Sequence, residues 1–231
     1  MNEEPQVLYC DAWLMAIDKP AGMIVHGDGT GERTLTDYAS DLLLAMGDGF
    51  AATDMQPLNR LDRNTTGVVL FSLDKQTQPA FDQMVNDHAF EKHYLAVLRG
   101  APPEREGALT DLLARDKETR LTHVVTTREK GVQEARLRYR VLDSRAGLTL
   151  VQVQLLTGRT HQIRAQMAAA GWPLLGDGKY GKLDKQYDRK IQALYSYKLT
   201  FQFTTDAGCL SYLNGRTFQV ESVDFVQEYF T

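Results

Sequence analysis

The sequence predicts an α+β fold with a mixed, mainly antiparallel sheet flanked by helices. Short apolar or alternating segments, which are typical of strands, outnumber the segments with helical periodicity. The turns between them are often too short to hold a crossover helix, and this favours antiparallel pairing. The 231 residues contain no repeat, low-complexity tract or Ser/Pro-rich linker. We therefore predict a single domain over residues 1–231.

The N-terminal part of the chain predicts three strands and two helices. The strands are expected at residues 7–9, 14–18 and 67–73. Apolar residues recur at helical spacing from Leu35 to Met46, and Gly47 is a typical C-terminal stop. Asp74 is a suitable N-cap for a second helix, whose inner face would carry Phe81, Met84 and Val85.

The C-terminal part predicts three more strands and one helix. The strands are expected at residues 94–99, 148–156 and 195–203, the last from its alternation of aromatic or aliphatic and mostly polar residues. The helix is expected at residues 160–170, closed by Gly171 with Pro173 just beyond.

Composition and charge exclude several classes of protein. No apolar run approaches the ~20 residues that span a bilayer, and residues 1–10 lack the pattern of a signal peptide. Cys10 and Cys209 form neither a disulfide framework nor a metal motif, so we expect a cytoplasmic protein. The net charge of −4 and a pI of about 5.7 argue against a protein that coats nucleic acid non-specifically.

Positive charge is nevertheless concentrated between residues 115 and 145. This segment carries nine basic residues against five acids, a local charge of +4 on an acidic chain. It is a candidate surface for a polyanion, although a solvated hairpin is the commoner explanation of such a stretch.

The sequence gives little support for a nucleotide-binding site, a metal site or a catalytic serine. The string GDGKYG at residues 176–181 has the spacing of a dinucleotide-binding loop, but neither a full strand before it nor a ribose-binding acid after it. The Gly-rich HGDGTG at residues 26–31 lacks the Gly-Lys-Ser/Thr ending of a P-loop. The five histidines show no metal-ligand spacing, and no serine has a nucleophile-elbow context.

Three segments carry the remaining signal: NRLDRNTTG at residues 59–67, EKHYLAVLRG at 91–100 and LLTGRTHQIRAQ at 155–166. The first holds Asp62 between Arg60 and Arg63, which by itself is equally consistent with a surface ion-pair cluster. The third places Arg159 at a helix start, where a cation opposes the helix dipole but free amides suit a phosphate. His161 and Arg164, three residues apart, share a helix face; a plain capping turn is the alternative here.

Together these segments resemble the RluA-type pseudouridine synthases. That family shows a His-Arg-Leu-Asp-x-x-Thr-Ser-Gly box, a Lys-x-Tyr box and a Leu-x-Thr-Gly-Arg-Thr-His-Gln-Ile-Arg box. It also has counterparts of IDKPAGMIVH (residues 17–26), GDGKYG and ALYSYKLTF (193–201), so the likeness runs in order from about residue 7 to about 220. This chain departs from the family at four positions: Asn59, Thr66, Gln166 and Tyr195.

The resemblance implies the pseudouridine synthase catalytic fold and an RNA uridine isomerase. The reaction breaks the glycosidic bond, rotates the uracil and rejoins it through ring carbon 5, with no metal or cofactor. Asp62 would be the nucleophile, attacking either ribose or ring. Arg164 would hold Asp62 charged, and Tyr94 would face the uracil.

The resemblance also implies where RNA would bind. Arg60 would handle a backbone phosphate or fill the gap left by the flipped nucleotide. The basic segment would grip folded RNA by shape and phosphate. The residues we expect to contact RNA are Arg60, Arg115, Lys117, Arg120, Arg159 and His161. No partner beyond RNA is implied, and we expect a monomer. Many family members carry a small RNA-binding domain before the catalytic one; we expect none in this chain, either because the natural protein lacks it or because the chain is a fragment.

Two other functions remain as alternatives. A non-catalytic RNA-binding relative would have lost Asp62 or Tyr94, and both are present. A glycoside hydrolase would need a second acid roughly 5–10 Å from Asp62, for which Asp177 is the visible candidate. Within the RluA type, the residues of the motifs are most similar to those of the ribosomal RNA branch, with transfer RNA as the alternative target.

Overall fold

The computed structural model of the protein describes residues 4–27, 29–47, 54–86, 89–182, 186–203 and 206–231. The chain divides into two compact units, one of Met1–Glu91 with Ser196–Val220 and one of Lys92–Tyr195 with Glu221–Thr231. The single domain that we predict over residues 1–231 stays a prediction. In the described part of the chain, no helix is both long and apolar enough to span a membrane.

The secondary structure confirms the α+β class that the sequence predicts. The elements are, in chain order, β1 (Gln6–Cys10), β2 (Leu14–Lys19), α1 (Leu35–Met46), β3 (Gln56–Pro57), β4 (Thr66–Ser72), α2 (Gln78–Asn86), β5 (Phe90–Arg99), β6 (Glu106–Arg115), β7 (Thr122–Val125), β8 (Gln133–Arg145), β9 (Leu148–Leu155), α3 (Gln162–Ala169), β10 (Leu194–Phe201), a 3-10 helix (Gly208–Leu213), β11 (Thr217–Gln219) and α4 (Asp224–Phe230).

In the first unit the strand order is β1-β2-β4-β10, with β3 on β4 and β11 on β10. The pairs β1–β2, β2–β4, β3–β4 and β10–β11 are antiparallel. Leu14, Val68 and Leu70 lie in a core cluster with Phe81 of α2 and Phe201 of β10. Burying such side chains stabilises the unit by ~1.5–3 kcal/mol each.

The two helices of this unit begin for different reasons. Thr34 caps α1 in a capping box: its hydroxyl accepts from the Asp37 amide, and the Asp37 carboxylate accepts from the Thr34 amide. The predicted N-cap of α2 is wrong, because Asp74 instead closes the turn before the helix by accepting from the amides of Gln76 and Thr77. Phe81 is buried as predicted.

In the second unit the strand order is β5-β9-β8-β6-β7, and the neighbouring strands are antiparallel. Directly paired residues point to the same side of a sheet. Tyr94 pairs with Val153, which pairs with Tyr139, so these three residues share one face.

Helix α3 covers that same face. Ala165 of α3 packs against Leu113 of β6 and Ala135 of β8. Because side chains alternate along a strand, Ala135 and Tyr139 lie on one face of β8. The exposed side chains of Arg136, Arg138 and Arg140 lie on the opposite face. Residues 115–145 run from the last residue of β6 through β7 and β8; they do not form one hairpin, because β7 and β8 lie on opposite sides of β6.

Candidate active site

Asp62 lies in the loop between β3 and β4, in the first unit. Its carboxylate is half-buried, and its carbonyl accepts a 3.0 Å hydrogen bond from the Thr65 amide, which closes a turn. Gly67, the second residue of β4, has a φ of +116°, and a Cβ there would lie 2.2 Å from the Ser196 carbonyl oxygen. Only glycine fits, so the Thr-Thr-Gly sequence fixes how the loop enters β4.

Asn59 anchors the start of the same loop. Its side-chain amide donates to the Val68 carbonyl at 3.0 Å and accepts from the Leu70 amide at 2.8 Å. These bonds tie the loop to β4 at one end, as Gly67 does at the other. The departure from the family at this position therefore leaves an anchored loop.

Lys19, at the end of β2, is a buried cation next to this loop. Its side chain is fully buried, and its ammonium donates to the carbonyls of Pro20, Met23 and Arg63 at 2.9, 2.8 and 3.0 Å. Burial lowers the pKa of Lys19 to about 7, although the Asp62 and Asp18 carboxylates oppose that effect. Lys19 thus joins the segment at residues 20–23 to the loop that carries Asp62.

The two arginines beside Asp62 differ in their surroundings. Arg63 forms an ion pair with Glu32 and lies close to the Gly22 carbonyl. Arg60 is exposed, and within the described residues it forms no ion pair. The surface ion-pair explanation therefore holds for Arg63 and leaves Arg60 available to an anionic ligand.

Tyr94 and Arg164 both belong to the second unit. Tyr94 is 6% exposed on β5 and Arg164 is 4% exposed on α3. The structure brings both to one side of the second unit's strands, because α3 covers the face on which Tyr94 lies. The pairing of Arg164 with Asp62, which lies in the first unit, stays a prediction.

Asp177 is a buried partner of Arg164 that the sequence does not predict. Its carboxylate accepts from Arg164 Nε at 2.7 Å and from a terminal guanidinium nitrogen at 2.9 Å. Burial alone raises the pKa of Asp177, but the Arg164 charge and hydrogen bonds outweigh it, so the net pKa lies below the usual range. A carboxylate held charged in this way does not suit the role of general acid in a glycoside hydrolase.

Tyr180 supports the same arginine and the preceding turn. The Arg164 guanidinium lies over the Tyr180 ring at 5.0 Å, a cation–π contact. The Tyr180 hydroxyl accepts from the Thr122 amide at 2.8 Å and shares a 2.7 Å hydrogen bond with His161 Nδ1. His161 adopts a left-handed conformation, with φ of +56°, at the start of α3.

The residues that we expect to contact RNA differ in their exposure and in their partners. Arg115, Lys117 and Arg120 are exposed around the turn between β6 and β7. Arg159 is half-buried and donates from Nε to the Glu134 carbonyl at 3.0 Å. His161 is held by Tyr180, so its ring also has a structural role.

The sequence did contain signals for the residues that were missed. Lys19 follows five residues of an apolar-rich strand, where a lysine is rarely buried without a purpose. Asp177 and Tyr180 belong to GDGKYG, a string that has a counterpart in the RluA-type family. Among the described residues, no group of three or more His, Cys, Asp or Glu side chains could hold a metal ion.

Comparison with known proteins identifies relatives of this chain. The family described as RNA pseudouridylate synthase matches residues 14–169. The ribosomal large subunit pseudouridine synthase D of Zymomonas mobilis is 29% identical over 84% of this chain and 62% of its own length. The tRNA pseudouridine synthase C of Vibrio parahaemolyticus is 30% identical over 86% of this chain and 85% of its own length.

A solved structure with a similar fold is human RNA pseudouridylate synthase domain containing 4. It is 24% identical, with a TM-score of 0.70 over 84% of this chain and 83% of that chain. The present chain spans about three fifths of the length of several curated relatives that it matches.

Proposed function

The chain belongs to the RNA pseudouridylate synthase family, and on that premise we propose that it isomerises specific uridines of RNA to pseudouridine. The observation that carries the proposal is the family match over residues 14–169, which includes Asp62, Tyr94 and Arg164. Asp62 sits in a loop anchored by Asn59 and Gly67, as a positioned nucleophile requires.

In the proposed reaction the Asp62 carboxylate attacks either the ribose or the uracil ring. The glycosidic bond to ring nitrogen 1 breaks, the uracil turns, and ring carbon 5 bonds to the ribose. The bond to Asp62 breaks and frees the carboxylate, ring nitrogen 1 takes up a proton and carbon 5 loses one, so the product is an isomer of the substrate. No metal, redox step or cofactor enters this scheme.

Tyr94 and Arg164 have distinct parts in the proposal. Tyr94 offers a flat, mostly buried ring for the flipped uracil and a hydroxyl near the proton that is lost. Arg164 keeps the Asp62 carboxylate ionised, and Asp177 holds the Arg164 guanidinium in a fixed plane through two hydrogen bonds.

We propose large-subunit ribosomal RNA as the target, with transfer RNA as the second candidate. Several relatives are named as ribosomal large subunit pseudouridine synthases, from Zymomonas, Borreliella and Haemophilus. The transfer RNA alternative is favoured by the Vibrio relative, of whose length this chain covers 85%. Exposed Arg60, Arg115, Lys117 and Arg120 would bind RNA phosphates, with Arg159 and His161 beside the α3 turn.

The test is conversion of unmodified transcripts by the purified chain. Transcripts of the large-subunit ribosomal RNA and of the transfer RNAs of the source organism would be incubated with the protein. Pseudouridines would then be mapped by carbodiimide adduct formation and reverse transcription. The proposal expects new stops in the ribosomal transcript; stops only in transfer RNA would support the alternative, and none in either would contradict the activity.

Three further expectations belong to this proposal. The free cysteines Cys10 and Cys209 are consistent with action in the reducing cytoplasm. The chain is expected to act as a monomer, and sedimentation would test this. Activity is expected to survive treatment with a metal chelator.

A further inference from the structure

Lys92 is a cation that the proposed mechanism does not use. It lies on β5, two residues before Tyr94, so both side chains project from the same face of the strand. The repeat between such residues is about 6.6 Å. Lys92 pairs directly with Leu155 at the end of β9, which gives it an apolar neighbour.

The ammonium of Lys92 has no counter-ion in the part of the chain that the structure describes. The side chain is half-buried, and it makes neither an ion pair nor a hydrogen bond with any described residue. Burial lowers the pKa of Lys92, and no described carboxylate offsets that effect. A desolvated charge without a partner destabilises a fold, so its presence calls for an anion that arrives from outside.

The surroundings of Lys92 Nζ also suit an anion. The turn after β9 passes close by: a Cβ built on Gly158 would lie 4.0 Å from Lys92 Nζ. Glycine keeps the backbone open at this point. Among the described residues, the amides of Gly158 and Thr160 donate to no acceptor, and they precede the positive end of the α3 dipole.

We propose that Lys92 and the turn at residues 157–160 form a binding site for one backbone phosphate of the RNA strand, beside the target uridine. This inference rests on the proposed function, because RNA as substrate supplies the phosphodiester as the anion. A base lying on the Tyr94 ring has the backbone of its own nucleotide within the reach of a lysine two residues away on the same face. The ammonium would then anchor the flipped nucleotide while Tyr94 holds its base.

The test compares Lys92→Met with Lys92→Arg and Lys190→Met. Methionine keeps the length and apolar surface of the lysine side chain but removes its charge, whereas arginine keeps the charge. Lys190 is exposed in the same unit and has no described partner, so Lys190→Met controls for the loss of one positive charge. The probe is a transcript of the large-subunit ribosomal RNA, with binding measured between 50 and 300 mM KCl at roughly equal logarithmic steps.

Lys92→Met is expected to weaken RNA binding about tenfold, as for a hydrogen bond to a charged group. The slope of log affinity against log salt should fall by about 0.7. The melting temperature of Lys92→Met should equal that of the wild type or lie up to about 4 °C above it, because the unpaired charge has been removed. Lys92→Arg should retain the slope, and Lys190→Met should match the wild type in every measurement.

Other outcomes would overturn the proposal. An unchanged affinity and salt slope in Lys92→Met would show that no phosphate binds there. A destabilised or unfolded Lys92→Met variant would show that Lys92 is structural. A wild-type protein that binds RNA without forming pseudouridine contradicts the proposed function but leaves this site testable, whereas a wild type that does not bind RNA contradicts both.

Discussion

Asp177→Asn removes the negative charge from the buried ion pair with Arg164 and keeps the size of the side chain. The two side chains of the pair are only 5% and 1% exposed, and two hydrogen bonds of 2.7 and 2.9 Å join them. Removing one partner leaves the other charge buried and uncompensated, which costs about 3–5 kcal/mol. For a chain of this length that corresponds to a melting temperature lower by about 6–20 °C.

The matched control is Asp224→Asn, in the second unit. Asp224 also pairs with an arginine, Arg189, at 2.9 Å, but its side chain is 59% exposed and Glu228 is a second carboxylate for Arg189. An exposed pair contributes less than about 1 kcal/mol. Thermal unfolding of the three proteins, followed by circular dichroism at pH 7, checks the contrast. Equal melting temperatures for the two variants would refute the claim that burial makes the Arg164 pair strong.

The pH dependence of stability gives the same prediction an independent check. The folded pKa of Asp177 lies below its unfolded value, so the pair's stabilisation is fully present above the ordinary Asp value of about 4. It is lost as the pH falls through the folded pKa. The stability difference between wild type and Asp177→Asn should therefore shrink on acidification below about pH 4. A difference that stays constant down to pH 2 would mean that the carboxylate charge is not the cause.

Three further variants test other parts of the structure. Lys19→Met should lower the stability by roughly 2–5 kcal/mol, since three buried or partly buried carbonyls lose their donor. Because the folded pKa of Lys19, about 7, lies below the unfolded value, wild-type stability should rise between pH 7 and pH 9. This rise should be smaller in the variant. Gly67→Ala should lower the free energy of unfolding by roughly 2–5 kcal/mol, because its Cβ would lie 2.2 Å from the Ser196 carbonyl oxygen. Gly147→Ala, at a positive φ with open space around it, should lower it by only about 1–2 kcal/mol. Equal stabilities of the two variants in urea unfolding would contradict this. Replacing Lys117 and Arg120 together by Gln should reduce the salt slope of RNA binding by about 1.4 and leave single-turnover conversion of bound RNA near normal; an unchanged slope would mean that the basic segment is only solvated surface.

Local sequence patterns predicted the elements whose cores are strongly periodic. The helix from Leu35 to Met46 matches in both bounds, because a capping box and a terminal glycine mark its ends. The buried strand β4 and the alternating strand β10 were also predicted, since apolar runs and alternation are direct consequences of burial. The start of α2 was wrong because Asp74 can cap a turn as well as a helix, and only tertiary packing decides which.

The candidate site was predictable only as far as the resemblance reached. Asp62, Tyr94 and Arg164 stand in recognisable motifs, although their mutual geometry stays a prediction. The Arg164–Asp177 pair joins residues 13 positions apart through a bidentate contact, and no local pattern encodes that. The arginines of β8 lie on the face of the strand opposite to α3 because of the strand register. The net charge of a segment does not predict on which face its charged residues lie.

The most direct test of the central claim is pseudouridine formation by wild type and by Asp62→Asn on the same RNA transcript. Asparagine keeps the shape of the side chain but removes the nucleophilic charge, so folding and RNA affinity should persist. The account predicts pseudouridine at defined positions with the wild type and none with Asp62→Asn, even with enzyme in excess over RNA. Turnover by a purified Asp62→Asn protein above a mock-purification control would contradict it.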